Sequence, residues 1–300
     1  MWQSTTSRIS AGGESVHPEK SAHPDRTGRW LAAGLLLLLL SVVLPSSAWA
    51  AAYATGGTSP YRNTVLWLTW GGGTDLGTAG VTLNNGDTSS ISMPVAAGIN
   101  LSVSCSLANI SGGGLLQSYR PGNFSGDSLD DLYNVGGTGG ANQLIAGISR
   151  STGTSSFEIN CVSTLGGAPY RLRGVVMADA ESINNSGEFV EASALGTWNV
   201  VEMRKNLSAG AYNVTKSSSG GNSVIRFGPG NDNNTAAVTF LNFDNAAHAP
   251  GNFAVNMGFS MRGSGTTAIA IGLLVPYADF GDAPQSYGDA MHVVDDLQFR

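Results

Sequence analysis

The chain has 300 residues, a formal net charge of −6, only 12% charged residues and 41 glycines. An acidic balance whose only adjacent basic pair is Arg204-Lys205 excludes nucleic acid, which needs phosphate-neutralising cations, and a polybasic membrane contact. Hydrophobic content of 42% is enough for a core and excludes a disordered chain, which pairs low hydrophobicity with high charge. Residues 30–44 (WLAAGLLLLLLSVVL) carry no charge, Arg26 and Arg29 precede them, and Ala48-Trp49-Ala50 follows. A cationic flank, a short apolar core and an A-x-A site predict a secretory signal peptide over residues 1–50, cleaved between Ala50 and Ala51. The apolar run is shorter than the roughly twenty residues of a spanning helix. The expectation is therefore a secreted or cell-surface mature chain with no transmembrane span after cleavage.

From residue 53 the pattern is strand after strand. The run 63–70 (NTVLWLTW) ends at Gly71-Gly72-Gly73. Trp67 and Trp70 have opposite parity, so one of them is expected to point away from the buried face. Runs 88–95 and 99–107 follow, and in the second Ile99, Leu101, Val103, Cys105 and Leu107 alternate with polar residues. That is the period of a half-buried strand. The segment Tyr119-Arg120-Pro121-Gly122-Asn123-Phe124 reads as a loop with two aromatics and a cation. Such residues anchor recognition, and Tyr119, Arg120 and Phe124 are the candidate ligand-binding residues. Residues 126–134 could hold one helical turn. In 155–162 the parity puts Phe157, Ile159 and Cys161 on one face. Cys105 and Cys161, both inward on strands in an oxidising compartment, are expected to form a disulfide.

Runs 172–177 and 197–203 bracket a polar connection, and Asp179, Glu181, Glu188, Glu191 and Glu202 lie in or beside it. No histidine or cysteine joins them locally, so they read as the solvated rim of a polar crossover, one that calcium or a ligand could use, and they are not assigned as site residues. Further strands at 211–215, 223–227, 236–243, 253–261 and 267–275 are separated by turn-forming stretches. His248, the lone histidine of this body, sits in a turn and reads as surface decoration. No G-x-S-x-G elbow, HExxH, P-loop or intact GxGxxG is present. No catalytic residue and no metal ligand is assigned, and no cofactor is expected. Calcium is the one ion the composition allows: residues 230–234 (GNDNN) and Asp127, Asp130 and Asp131 offer closely spaced oxygens, although Asn and Asp are also ordinary turn formers. The pattern predicts an all-β chain, one antiparallel β-sandwich of about a dozen strands over residues 51–278.

Four pieces carry a family resemblance: Tyr53-Ala54-Thr55-Gly56 with 61–71 (YRNTVLWLTWG); 174–181 (GVVMADAE) with Gly187-Glu188-Phe189 and Gly196-Thr197-Trp198; 267–272 (TAIAIG); and 279–288 (DFGDAPQSYG). Together they make the chain resemble the ligand-binding, lectin-like non-repetitive domain of CshA-type bacterial surface adhesins. The resemblance implies a large lectin-like, jelly-roll-type β-sandwich that binds an extracellular matrix glycoprotein or a surface glycan without catalysis. It also implies that residues 279–300 are a linker into a further extracellular module. The two cysteines are not part of that family's pattern. Two other readings stand beside it: a structural spacer in a surface fibre, and a carbohydrate-active enzyme with two carboxylates facing across a cleft. Fold transfers across such a resemblance better than partner does.

Overall fold

The computed structural model describes residues 53–72, 77–121, 129–135, 144–181, 183–184, 187–205, 212–229, 235–280 and 291–294. All described residues lie in the unit Trp49–Arg300. The expected signal-peptide cleavage point at Ala50 and Ala51 lies outside them.

The first strands in chain order are β1 (Ala54–Gly56), β2 (Val65–Trp67), β3 (Thr88–Ala96), β4 (Ile99–Gly112), β5 (Gln117–Tyr119) and β6 (Asn134–Val135). Next come β7 (Gly147–Arg150), β8 (Gly153–Leu165), β9 (Ala168–Pro169), β10 (Gly174–Asp179), β11 (Phe189–Ala194) and β12 (Gly196–Lys205). The series closes with β13 (Val214–Ser219), β14 (Asn222–Phe227), β15 (Thr235–Phe243), β16 (Val255–Gly263), β17 (Thr267–Leu274), β18 (Tyr277–Phe280) and β19 (Met291–Val294). The expected helical turn forms at α1 (Leu129–Leu132). No helix among the described residues is long and apolar enough to cross a membrane.

Two antiparallel sheets make a sandwich, as the alternation predicts. A seven-stranded sheet runs β12-β15-β10-β17-β7-β5, with β2 also on β17. An eight-stranded sheet runs β13-β14-β11-β16-β8-β4-β3, with β9 on β8. From β10 onward the chain changes sheet at almost every connection, the β13–β14 hairpin being the exception. Residues β18 and β19 pair with each other, so the stretch expected as a linker contains a ladder.

The eight-stranded sheet is built from period-2 strands. Leu101, Val103, Cys105 and Leu107 of β4, Phe157, Ile159 and Cys161 of β8, and Val255, Met257, Phe259 and Met261 of β16 all point into the core. Phe157 and Phe259 stack at 5.3 Å. Cys105 faces Cys161 in the β4–β8 register, and the two form the expected disulfide with Cα atoms 4.1 Å apart.

The seven-stranded sheet differs: every residue of β10 and β17 is buried. Their runs GVVMAD and TAIAIGLL do not alternate, the mark of strands covered on both faces. The inner face packs on the eight-stranded sheet. Tyr61, Trp67 and Tyr133 cover the outer face. Tyr61 meets Phe240 edge-on at 5.3 Å, and Trp67 meets Tyr133 at 5.3 Å. Gly57, at φ +90°, lets this covering segment cross the end of α1, because a Cβ there would lie 2.2 Å from the Leu132 carbonyl oxygen. The expectation that one of Trp67 and Trp70 faces outward is therefore corrected. Both are fully buried, because parity on one strand does not show that a second layer covers the other face.

Candidate functional site

Among the described residues, the broad sheet face left to solvent is the outer face of the eight-stranded sheet. The same alternation that buries the odd positions of β4 and β8 turns Ser102, Ser104, Ser156, Glu158 and Asn160 outward. Across the ladders these meet Ser90 and Ser92 of β3, Asn256, Gly258 and Ser260 of β16, and Glu191 and Ser193 of β11. The result is a surface of hydroxyls, amides and carboxylates. Ser90 and Ser104 exchange a hydrogen bond at 3.0 Å, as do Ser92 and Ser102.

Two depressions mark this face. One, of about 380 Å³, lies over the serine pairs beside Val162 and Thr164. The other, of about 440 Å³, is lined by Ser156, Glu158, Glu191, Ser193, Gly258 and Ser260, among others. Its floor exists because β16 carries a glycine at an outward position. A Cβ on Gly258 would fall 2.7 Å from Ser193 Oγ. Two carboxylates flank it, and each is held from one side. Asn256 Nδ2 donates to Glu158 Oε2 at 2.7 Å and to Asn160 Oδ1 at 2.7 Å. Arg226 donates to Glu191 Oε2 from Nε and Nη2, both at 2.7 Å, while its guanidinium lies 4.1 Å above the Phe189 ring. Each carboxylate thus keeps Oε1 uncommitted on a side chain whose position is already fixed. Side chains pre-positioned in this way lose less entropy when a ligand binds.

The predicted loop lies elsewhere. Tyr119 ends β5 on the seven-stranded sheet, partly buried against the core. Arg120 is exposed. Phe124 lies outside the described residues. The structure brings neither Tyr119 nor Arg120 to the groove, because they belong to the opposite sheet. His248 is not decoration: its Nε2 is 2.9 Å from the Leu172 carbonyl oxygen and its ring packs edge-on against Phe243, so it ties a turn to the body. Of the stretches expected to suit calcium, Asp127 and residues 230–234 lie outside the described residues, as does the Asp130 side chain. Asp131 is exposed.

The five acids read as one rim separate into three places. Glu191 is in the groove. Glu202 sits on the covered outer face of the seven-stranded sheet, where Ser59 Oγ and Tyr133 Oη donate to its Oε2 at 2.8 and 2.5 Å. Burial and the Glu202 charge raise the Tyr133 pKa. Asp179, Glu181 and Glu188 are buried, at 1%, 9% and 1% exposure, so the expectation of a solvated rim is corrected for these three. Tyr212 Oη donates to Asp179 Oδ2 at 2.7 Å. Glu188 Oε1 accepts from Ser264 N, Ser264 Oγ and Gly265 N at 3.0–3.2 Å, which fastens it to the β16–β17 turn. Asp179 Oδ1 and Glu181 Oε2 have no hydrogen-bond partner. An orphaned buried polar atom costs about 1–3 kcal/mol. Burial pushes Asp179 well above the ordinary carboxylate range; hydrogen bonds from the Tyr212 hydroxyl and the Glu181 amide to its carboxylate oppose the rise, and the charges of Glu181 and Glu188 add to it. Burial, then the Glu188 charge, pushes Glu181 up to about 8. No three His, Cys, Asp or Glu side chains among the described residues form a group that could hold a metal ion by themselves.

No curated protein matches the chain. Among solved structures, the crystal structure of the N-terminal domain of the Streptococcus gordonii adhesin Sgo0707 is similar at 9% identity with a TM-score of 0.34. The match covers 78% of this chain and 59% of that one, so this chain spans less than two thirds of that structure's length. The family described as surface adhesin CshA non-repetitive domain 2 matches residues 63–275, which contain β2 to β17 and with them both main sheets. The chain belongs to the CshA non-repetitive domain 2 family of surface adhesins.

Proposed function

We propose that this chain is an exported, non-catalytic adhesion module of a bacterial cell surface, and that it takes a glycan or a glycosylated matrix protein in the groove between Glu158 and Glu191. One observation carries the reading: two carboxylates, each tethered by a neighbour with one oxygen to spare, flank a floor of Gly258 and serine hydroxyls. Fixed acceptors and hydroxyls suit a polyhydroxylated ligand, whose hydroxyls donate to carboxylates and accept from serines. Export through the cleaved segment 1–50 puts the groove outside the cell, where such ligands occur. The segment that carries Tyr119, Arg120 and Phe124 is the rival contact surface, and the loop variant below tests it.

The test is binding of the intact chain to a glycan array and to a panel of matrix glycoproteins. The expected result is capture that a Glu158→Gln, Glu191→Gln double variant loses by at least about tenfold, equivalent to about 1.4 kcal/mol, with no hydrolysis of the bound sugar. Capture lost only in an Arg120→Ala, Phe124→Ala variant would move the site to the loop. Sugar hydrolysis would make the groove an active site, and no capture by any surface would sink the adhesion reading.

A further inference from the structure

The buried acids belong to a row of polar side chains that the groove does not involve. In the β10–β17 ladder Asp179 stands opposite Ile269, and one step further the Ala180 amide donates to the Ala268 carbonyl. Glu181 follows in a bend just past the end of β10, and Thr267, the first residue of β17, faces Arg150 of β7. Side chains two apart on a strand share a face, so Asp179, Thr267 and Arg150 lie on the face that Ile269 and Ile148 share, and the charge of Glu181 adds to the field at Asp179. Arg150 reaches Ser155 of the opposite sheet, so that face is the one between the sheets. Thr267 is fully buried and its Oγ1 has no partner. Three buried oxygens thus lack a hydrogen-bond partner: Asp179 Oδ1 and Thr267 Oγ1 on two adjacent strands, and Glu181 Oε2 just past the end of β10.

We propose that these three oxygens are ligands of a buried calcium ion at the end of the sandwich, with the Glu188 carboxylate supplying charge from the β16–β17 turn. The chemistry is that of a hard cation, which takes carboxylate, hydroxyl and carbonyl oxygens together and needs no third carboxylate ligand. The charge agrees. The charges of Asp179, Glu181 and Glu188 act on one another, and a divalent ion would offset them. Arg150 lies on the far side of Thr267 and directs its Nη groups to Ser155 Oγ and the Gly113 carbonyl. The ion would join β10, the segment leading to β11, and β17, elements that span both sheets. The proposal is independent of what the groove binds.

The test is thermal unfolding and calorimetric titration of the intact chain with calcium chloride, against chelator and against magnesium chloride at matched ionic strength. The expected result is one calcium ion bound per chain, with a Kd within roughly 10⁻⁴–10⁻³ M as in extracellular modules, weaker magnesium binding, and a melting temperature that falls on chelation. Glu181→Gln should abolish the calcium response and leave the melting temperature in chelator close to that of the wild type. Thr267→Val should weaken calcium by about tenfold or more, and Thr267→Ser should restore it. If a variant does not fold, the wild-type titration alone decides. Identical melting in calcium and chelator overturns the site. So does a melting temperature that ignores both ions and rises as pH is lowered below about 8, which would show that protons neutralise these acids.

Discussion

The two sheets bury their strands in opposite ways. In the eight-stranded sheet β4, β8 and β16 alternate, so one face joins the core and the other carries serines, asparagines and two fixed glutamates. In the seven-stranded sheet β10 and β17 are buried throughout, because Tyr61, Trp67 and Tyr133 close the second face. A sheet covered on both sides gains stability and gives up a recognition surface. The sheet left half open keeps the surface, and the disulfide between β4 and β8 braces the strands beneath it. The proposed reading assigns adhesion to the open face and support to the closed one.

The division can be broken from the closed side first. Trp67→Ala should cost about 3–5 kcal/mol, the range for a fully buried large aromatic, measured by denaturant unfolding. A cost below about 1 kcal/mol would mean that the cover is loose and the outer face of the seven-stranded sheet is also available. Next, Cys105→Ala with Cys161→Ala opens a link of sequence separation 56 and should cost about 2–4 kcal/mol. The loss should appear as a lower unfolding midpoint without loss of ligand binding at temperatures where the chain is folded, since neither sulfur reaches the open face. The smallest effect belongs to that face itself. Ser104→Ala and Ser156→Ala should each change stability by no more than about 0.5 kcal/mol. Larger losses would show that the hydroxyls hold the fold rather than face a ligand.

These differences were unevenly legible in the chain. The alternation in 99–107 and 155–162 led directly to the open sheet, its inward face and the cysteine pair, because a period of two depends only on local geometry. The cover over Trp67 was not legible, since it depends on residues 61 and 133 arriving from elsewhere in the chain. The unbroken run GVVMAD was the available sign that both faces of β10 are buried. It also showed that an acid ending such a run cannot belong to a solvated rim. Asp179, Glu181 and Glu188 come together with Thr267 only through the β10–β17 register, which no spacing in the chain expresses. The groove was missed because Ser156, Glu158, Asn256 and Ser260 at alternate positions look like any solvent face. Gly258, a glycine inside a strand at an outward position, was its one local signal.

The central claim is that ligand meets the open face, and the measurement that tests it most directly is side-by-side binding of three forms of the intact chain to one captured glycan or glycoprotein. The forms are the wild type, the Glu158→Gln, Glu191→Gln variant and the Arg120→Ala, Phe124→Ala variant, each first shown to melt within about 2 °C of the others, a spread that corresponds to less than about 1 kcal/mol. The account predicts at least about a tenfold loss, about 1.4 kcal/mol, for the groove variant alone. Unchanged binding in the groove variant, with the loss confined to the loop variant, would contradict it.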